Sequence, residues 1–198
     1  MIYIFLLLCV TALWVWPYAR LAFLKIMAVI RIKRICKKQD AEFVLLNKRF
    51  VFTSNKRRDF DFLVYIGKTT IPVKLFSSEY KNDTIIFDKS GKISTVRQYR
   101  NPLCRDNAKK FSTVKSLKNI PEMRLSKRFI RTSGNCFPVF LNVPENTNVL
   151  IRENNGAVSN FYDGAHRVGG CNFMQLKTFV ELMSMYKAEE SYQQKNLK

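Results

Sequence analysis

A chain of 198 residues has room for one membrane segment beside one compact domain, and not for two ordinary domains beside such a segment. Hydrophobic residues at 47% and sixteen Phe allow a packed core, which excludes a disordered polycation. The net charge of +19, from 34 Lys+Arg against 15 Asp+Glu, favours polyanionic neighbours, either nucleic acid or the anionic inner leaflet of a membrane.

Residues 1–19 carry no charge, and Ile4, Phe5, Leu6, Leu7 and Leu8 open an apolar run that continues through Leu13, Trp14, Val15 and Trp16. This is about the length that crosses a bilayer as a helix. Tyr3 at one end and Trp14, Trp16 and Tyr18 at the other resemble an interfacial aromatic belt, and Pro17 falls late enough to bend the exit without preventing a span. A cleaved signal peptide is not expected, because no positive charge precedes the run and no small-x-small site follows it. The positive charges begin at Arg20 and Lys25 and cluster at Arg31, Lys33, Arg34, Lys37 and Lys38, so the positive-inside rule sets the C-terminal part in the cytoplasm. Residues 21–35 mix apolar side chains with Lys and Arg; they either prolong the anchor at the interface or form the first helix of the domain.

An apolar stretch at 43–52, interrupted by Asn47, Lys48 and Arg49, precedes a polar loop at 54–58. Strands are predicted at 60–66 and 69–76, joined through Gly67 and Lys68 as a hairpin, with Pro72 pointing to an edge position or bulge. A second hairpin is predicted from 84–87 and 93–99. Asn101 and Pro102 start a predicted helix with Leu103, Ala108, Phe111, Val114 and Leu117 on its apolar side and Arg105, Lys109, Lys110, Lys115 and Lys118 on the other. Two more strands, 136–143 and 149–153, are predicted with a turn at 144–146 between them, and a closing helix at 172–190 with the stripe Phe173, Leu176, Phe179, Val180, Met183 and Tyr186.

Three local features narrow this α/β layering. Asp61 leads one strand, Lys74 ends the next after Ile71, Pro72 and Val73, and Asn101-Pro102-Leu103 opens a basic segment. In that order they resemble the nuclease-related domain (NERD) of the PD-(D/E)xK nuclease superfamily. The resemblance, over roughly residues 40–185, implies a restriction-endonuclease-like core, a mixed sheet flanked by helices. It also implies a catalytic site in which Asp61 is the metal carboxylate and Lys74 the assisting lysine. Two carboxylates would hold Mg or Mn to activate water and steady phosphate charge. Pro72 stands where that family has its glutamate, so the site is expected to be degenerate; Asp59 and Glu79 are the possible substitute carboxylates. As ordinary strand residues, Asp59 and Asp61 would instead face solvent and Lys74 would be a solvated strand end.

The expected organisation is therefore a transmembrane anchor at 1–20, a basic juxtamembrane helix or linker at 21–40, a nuclease-related-like cytoplasmic domain at 41–188 and a polar tail at 189–198. Five cysteines (Cys9, Cys36, Cys104, Cys136 and Cys171) without a CxxC pair, and His166 as the one histidine, argue against a disulfide framework or a zinc site and suit a reducing compartment. His166 lies in a glycine-rich loop with no visible catalytic companion. Lys56, Arg57, Arg58, Arg105, Lys109, Lys110, Lys115 and Lys118 are the candidate nucleic-acid contacts, and they make a phosphate-binding surface if they converge with Arg124, Lys127, Arg128 and Arg131. The expected function is a protein of the cell membrane that binds DNA or RNA and has lost most or all catalysis; a metal-dependent nuclease is the further reading, which requires a second carboxylate to reach Asp61. The rival is a structural or scaffolding single-pass membrane protein whose basic domain meets lipid or a protein partner.

Overall fold

The computed structural model describes residues 2–52, 58–77, 83–88, 93–100, 110–117, 122–130, 135–143, 148–152, 158–160 and 167–195, in part by backbone alone, as at 2–9, 12–14 and 17. A long helix, α1 (Ile2–Lys38), is followed by strands β1 (Glu42–Leu45), β2 (Phe62–Ile66), β3 (Thr69–Phe76), β4 (Asp83–Asp88), β5 (Ile93–Arg100) and β6 (Lys110–Leu117). Then come β7 (Val139–Asn142), β8 (Asn148–Arg152), β9 (Val158–Asn160), β10 (Arg167–Val168), β11 (Cys171–Gln175) and a closing helix, α2 (Leu176–Lys195). The architecture is α/β. One six-stranded mixed sheet runs β1-β2-β3-β7-β11-β10, and a five-stranded sheet runs β6-β5-β4-β8-β9.

Strand alternation sorts the apolar side chains into two cores. Phe62, Val64, Ile71, Val73, Leu75, Val139 and Leu141 leave one face of the larger sheet and pack under Ala28, Ile32 and Cys36 of α1 and Phe179 and Met183 of α2. The intervening residues Phe76, Phe140 and Phe173 leave the other face, their rings 5.4 to 6.2 Å apart, and meet Ile85, Ile93 and Val149 of the smaller sheet. The order is helices, sheet, sheet, with β3, β7 and β11 covered on both faces, which is why they carry apolar residues at successive positions.

The spacing Lys25, Ala28, Ile32 and Cys36 is one helical stripe, and all four are buried. Of the two readings open for 21–35, this packing makes the segment the domain's first helix. α1 stops because Asp40 takes a left-handed conformation (φ 55) and the Ala41 N–H reaches back to the Cys36 carbonyl at 2.9 Å. Among the described residues no helix is long and apolar enough to cross a membrane; most side chains of the uncharged run lie outside that set.

Both predicted hairpins form: β2 pairs antiparallel with β3, and β4 with β5. Gly67 has φ 51, the conformation a two-residue loop needs at its first position. Three expectations are corrected. Pro72 is on an interior strand, not an edge: β3 has β2 on one side and β7 on the other. Thr70 directs its N–H and carbonyl to Asn135 and Phe137, so two-residue alternation turns the missing Pro72 N–H to that same side. There the contact with the β7 chain lapses between the Thr70–Cys136 bridge and the ladder that starts at Val73–Val139.

Residues 110–117, expected as the end of a basic helix, form β6 against β5. Thr113 and Val114 are β-branched and gain more from that ladder than from a helical turn; residues 101–109 lie outside the described set. Both strands expected on either side of 144–146 form, β7 within the larger sheet and β8 parallel to β4 in the smaller. The closing helix starts at Leu176, because 171–175 are drawn into the sheet parallel to β7.

Three cysteines test this packing. Burial pushes the Cys36 thiol up to about 11 and, together with Cys136, the Cys171 thiol up to about 12, whereas Cys136 is exposed, its thiol raised by desolvation alone. At pH 8 fewer than about one in a hundred of the two buried thiols would be thiolate even if solvent reached them. In a Cys9→Ser, Cys104→Ser background, maleimide should label Cys136 within minutes and Cys36 and Cys171 only on unfolding. Rapid labelling of Cys36 in the folded protein would mean that α1 is not docked on the sheet.

Candidate functional site

Asp61 stands one residue before β2, where three strands meet. Its N–H donates to the Val73 carbonyl at 2.9 Å, and its own carbonyl accepts from Leu46 and Asn47, each at 3.0 Å, at the end of β1. Phe62 is the first β2 residue in register with β3, facing Val73, so the Leu75 N–H has no ladder partner of ordinary kind. The Asp61 carboxylate takes that place: Oδ2 accepts from the Leu75 N–H at 2.9 Å. Its Oδ1 accepts from Asn47 Nδ2 at 3.2 Å and from Lys74 Nζ at 3.4 Å. The side chain thus ends one strand by imitating the backbone of the next.

The group is inside the protein. Asp61 is 0% exposed, Lys74 1% and Lys25 4%. The expectation of Asp61 and Lys74 as solvent-facing strand residues is therefore overturned; the pairing of the two residues that the resemblance singled out is found, as a buried ion pair. Burial lowers the Lys25 pKa from its ordinary value, the negative charge of Asp61 opposes that shift, and the positive charge of Lys74 adds to it. Lys25 and Asn47 escaped sequence reasoning. A lysine set in the stripe with Ala28, Ile32 and Cys36 was the available signal for the first; for Asn47 there was none, since its role depends on how β1 ends.

Two lysines about one carboxylate disfavour a divalent cation at Asp61 on electrostatic grounds, and both carboxylate oxygens already accept hydrogen bonds. Pro72 brings no ligand. Asp59 is exposed and its backbone bridges to Arg124, while Glu79 lies outside the described residues. Among the described residues no three His, Cys, Asp or Glu side chains gather as a metal site. His166 also lies outside that set.

The candidate phosphate contacts divide. Lys56, Arg57, Arg105, Lys109, Lys118 and Arg131 lie outside the described residues, and Lys110 and Lys115 are on β6. Arg58 is exposed and is brought beside an exposed trio from later in the chain, Arg124, Lys127 and Arg128. The Arg124 N–H donates to the Arg58 carbonyl at 3.1 Å, and the Met123 N–H donates to Gly169 at 3.0 Å. Tyr65 Oη donates to the Phe129 carbonyl at 2.9 Å, and the Arg128 guanidinium sits 4.7 Å from the Phe129 ring centroid. Met123 and Leu125 pack into the inter-sheet core. Arg124 is the bridge partner of Asp59, so its side chain shares that residue's face and Arg58 alternates to the other; the four exposed cations are neighbours along backbone that is fixed to the sheet. No family model matches the chain, and no curated protein or solved structure does either.

Replacing Asp61 by Asn preserves the shape and removes the charge that compensates two buried lysines, which should destabilise the protein by roughly 3–5 kcal/mol. Lys25→Met leaves the Asp61–Lys74 pair intact and should be neutral or stabilising. The pH dependence follows from the lowered Lys25 pKa: the unfolded chain binds more protons just below pH 10.5, so stability rises with pH there. The Asp61→Asn deficit should shrink as pH climbs toward that value. Thermal unfolding of the full chain in mild detergent between pH 7 and 10 reads all three. A harmless Asp61→Asn would show that the cluster does not organise the core.

Proposed function

We propose that this is a single-pass membrane protein whose basic, nuclease-like domain lies on the cytoplasmic side, binds DNA or RNA and does not cleave it. One observation carries the reading: the carboxylate that a metal nuclease of this type needs is sealed in the core by Lys74, Asn47 and the Leu75 N–H, while the neighbouring cations stay in solvent. The α/β fold with its mixed sheet is compatible with the nuclease-related resemblance, and the order Asp61, Pro72, Lys74 supports descent from such a site with its second carboxylate lost. Val10, Val15, Trp16 and Tyr18 are each more than half exposed on α1, which supports an anchor there, because nothing in the domain covers them.

The exposed cations Arg58, Arg124, Lys127 and Arg128 suit phosphate contacts, which position a polyanion without reading its sequence. Four such contacts to duplex DNA would weaken binding roughly a hundredfold between 50 and 200 mM salt. The experiment is a salt series on full-length protein in neutral detergent, with duplex and single-stranded probes, Mg²⁺ or Mn²⁺ present, and cleavage scored on the same samples. Salt-sensitive binding with intact probe is the expected result, and Arg58→Ala with Arg124→Ala should lower the salt slope by about two. Cleavage would restore an active nuclease; no binding at 50 mM salt would leave the scaffolding role. Separately, the wild-type chain should stay with membranes in alkaline carbonate, and deletion of residues 2–19 should release it.

A further inference from the structure

On the helical side of the domain a groove of about 1020 Å³ runs between α1 and α2. Leu24, Met27 and Ile30 of α1 form one wall, and Val143, Leu176 and Val180 form the floor and the other wall. Four cations, Arg31, Arg34, Lys37 and Lys38, line its remaining part, all with exposed side chains, and among the described residues no acidic one lines it. A cleft of this volume, walled by apolar side chains with charged groups at one end, has the size and make-up of a site for a small amphiphilic ligand.

The groove has a direction. From Leu24 to Lys38 α1 advances about 21 Å, with apolar side chains first and the basic ones beyond them. An extended acyl chain with its headgroup has that length and polarity, and a phosphate matches guanidinium donors in charge and geometry. Phe23 and Ile26 are exposed beside the apolar end, and Trp16 is exposed farther up the helix. A lipid of the leaflet next to the domain would therefore lie there with its tail toward the bilayer and its headgroup away from it, in its usual orientation.

We infer that this groove holds one anionic phospholipid, an acyl chain against Leu24, Met27, Ile30 and Val180, and the phosphate at Arg31, Arg34, Lys37 and Lys38. The inference rests on the membrane anchor proposed above and is independent of nucleic-acid binding. The lipid would seal the face between α1 and α2 and fix the domain's height above the bilayer.

The test is native mass spectrometry of the full chain in neutral detergent with equal amounts of phosphatidylglycerol and phosphatidylcholine. One phosphatidylglycerol per chain should be retained, at least about tenfold in preference to phosphatidylcholine, and excess inorganic phosphate should not displace it. Val180→Trp, which fills the groove, should reduce retention of both lipids by about tenfold, and Arg31→Ala with Arg34→Ala should bring them to parity. Protection of Cys36 from maleimide checks that each variant still docks α1. Wild-type protein that keeps no lipid, shows no preference, or loses its lipid to inorganic phosphate would overturn the inference, as would a folded Val180→Trp that binds normally. Carbonate extraction reads the anchor on its own, so the anchor and the groove can fail separately.

Discussion

The fold depends on a carboxylate that behaves as backbone. At the point where β1 ends and β2 begins, Asp61 supplies an acceptor to the Leu75 N–H, joins Asn47 and Lys74 through its other oxygen, and holds Leu46, Asn47 and Val73 through its main chain. A buried charge is tolerated only when it is paired and hydrogen-bonded, and here one residue meets both conditions while ending a strand. The larger sheet can then carry β3 through its centre with both faces covered. Lys25 brings a second buried ammonium from α1 into the field of Asp61, but its desolvation outweighs that attraction, so α1 is held on the sheet by Ala28, Ile32 and Cys36.

That placement bears on chemistry. A metal-activating carboxylate needs lone pairs open to an ion and a path for water. Asp61 has instead three donors and no exposure, and the strand position two residues before Lys74 is a proline. The Asp61–Lys74 pair works here as architecture, its mutual attraction holding the start of β2 against β3 inside the core. The same cluster carries an excess lysine, which any cation entering the site would also have to face.

Local turn chemistry was the most legible part of the sequence. Gly67 and the 89–92 segment marked two hairpins because a turn is written in adjacent residues. The misses share a different cause. Phe111, Val114 and Leu117 fall at helical spacing, yet the same stretch alternates well enough to pair with β5, and only the presence of β5 decides between the two. Likewise 171–175 precede a clear helical stripe, and only β7 beside them makes them a strand. The separation of β7 and β8 into different sheets, and the burial of Asp61 and Lys74, are decided by partners far along the chain, which periodicity does not report. Lys25 was the intermediate case: its stripe was visible, its carboxylate was not.

α1 joins the two halves of the molecule because its character changes along its length. Its early part exposes Val10, Val15, Trp16 and Tyr18, its middle buries Lys25, Ala28 and Ile32 on the sheet, and its end exposes Arg31, Arg34, Lys37 and Lys38. A flexible linker would let the domain turn freely beneath a bilayer. A continuous helix that is also a core element does not, since tilting it would expose Ile32 and Cys36 or separate Lys25 from Asp61. With the anchor proposed above, the orientation of the domain relative to a membrane would be a property of the core packing, and an anionic lipid beside Arg31 and Arg34 would act on the element that sets it.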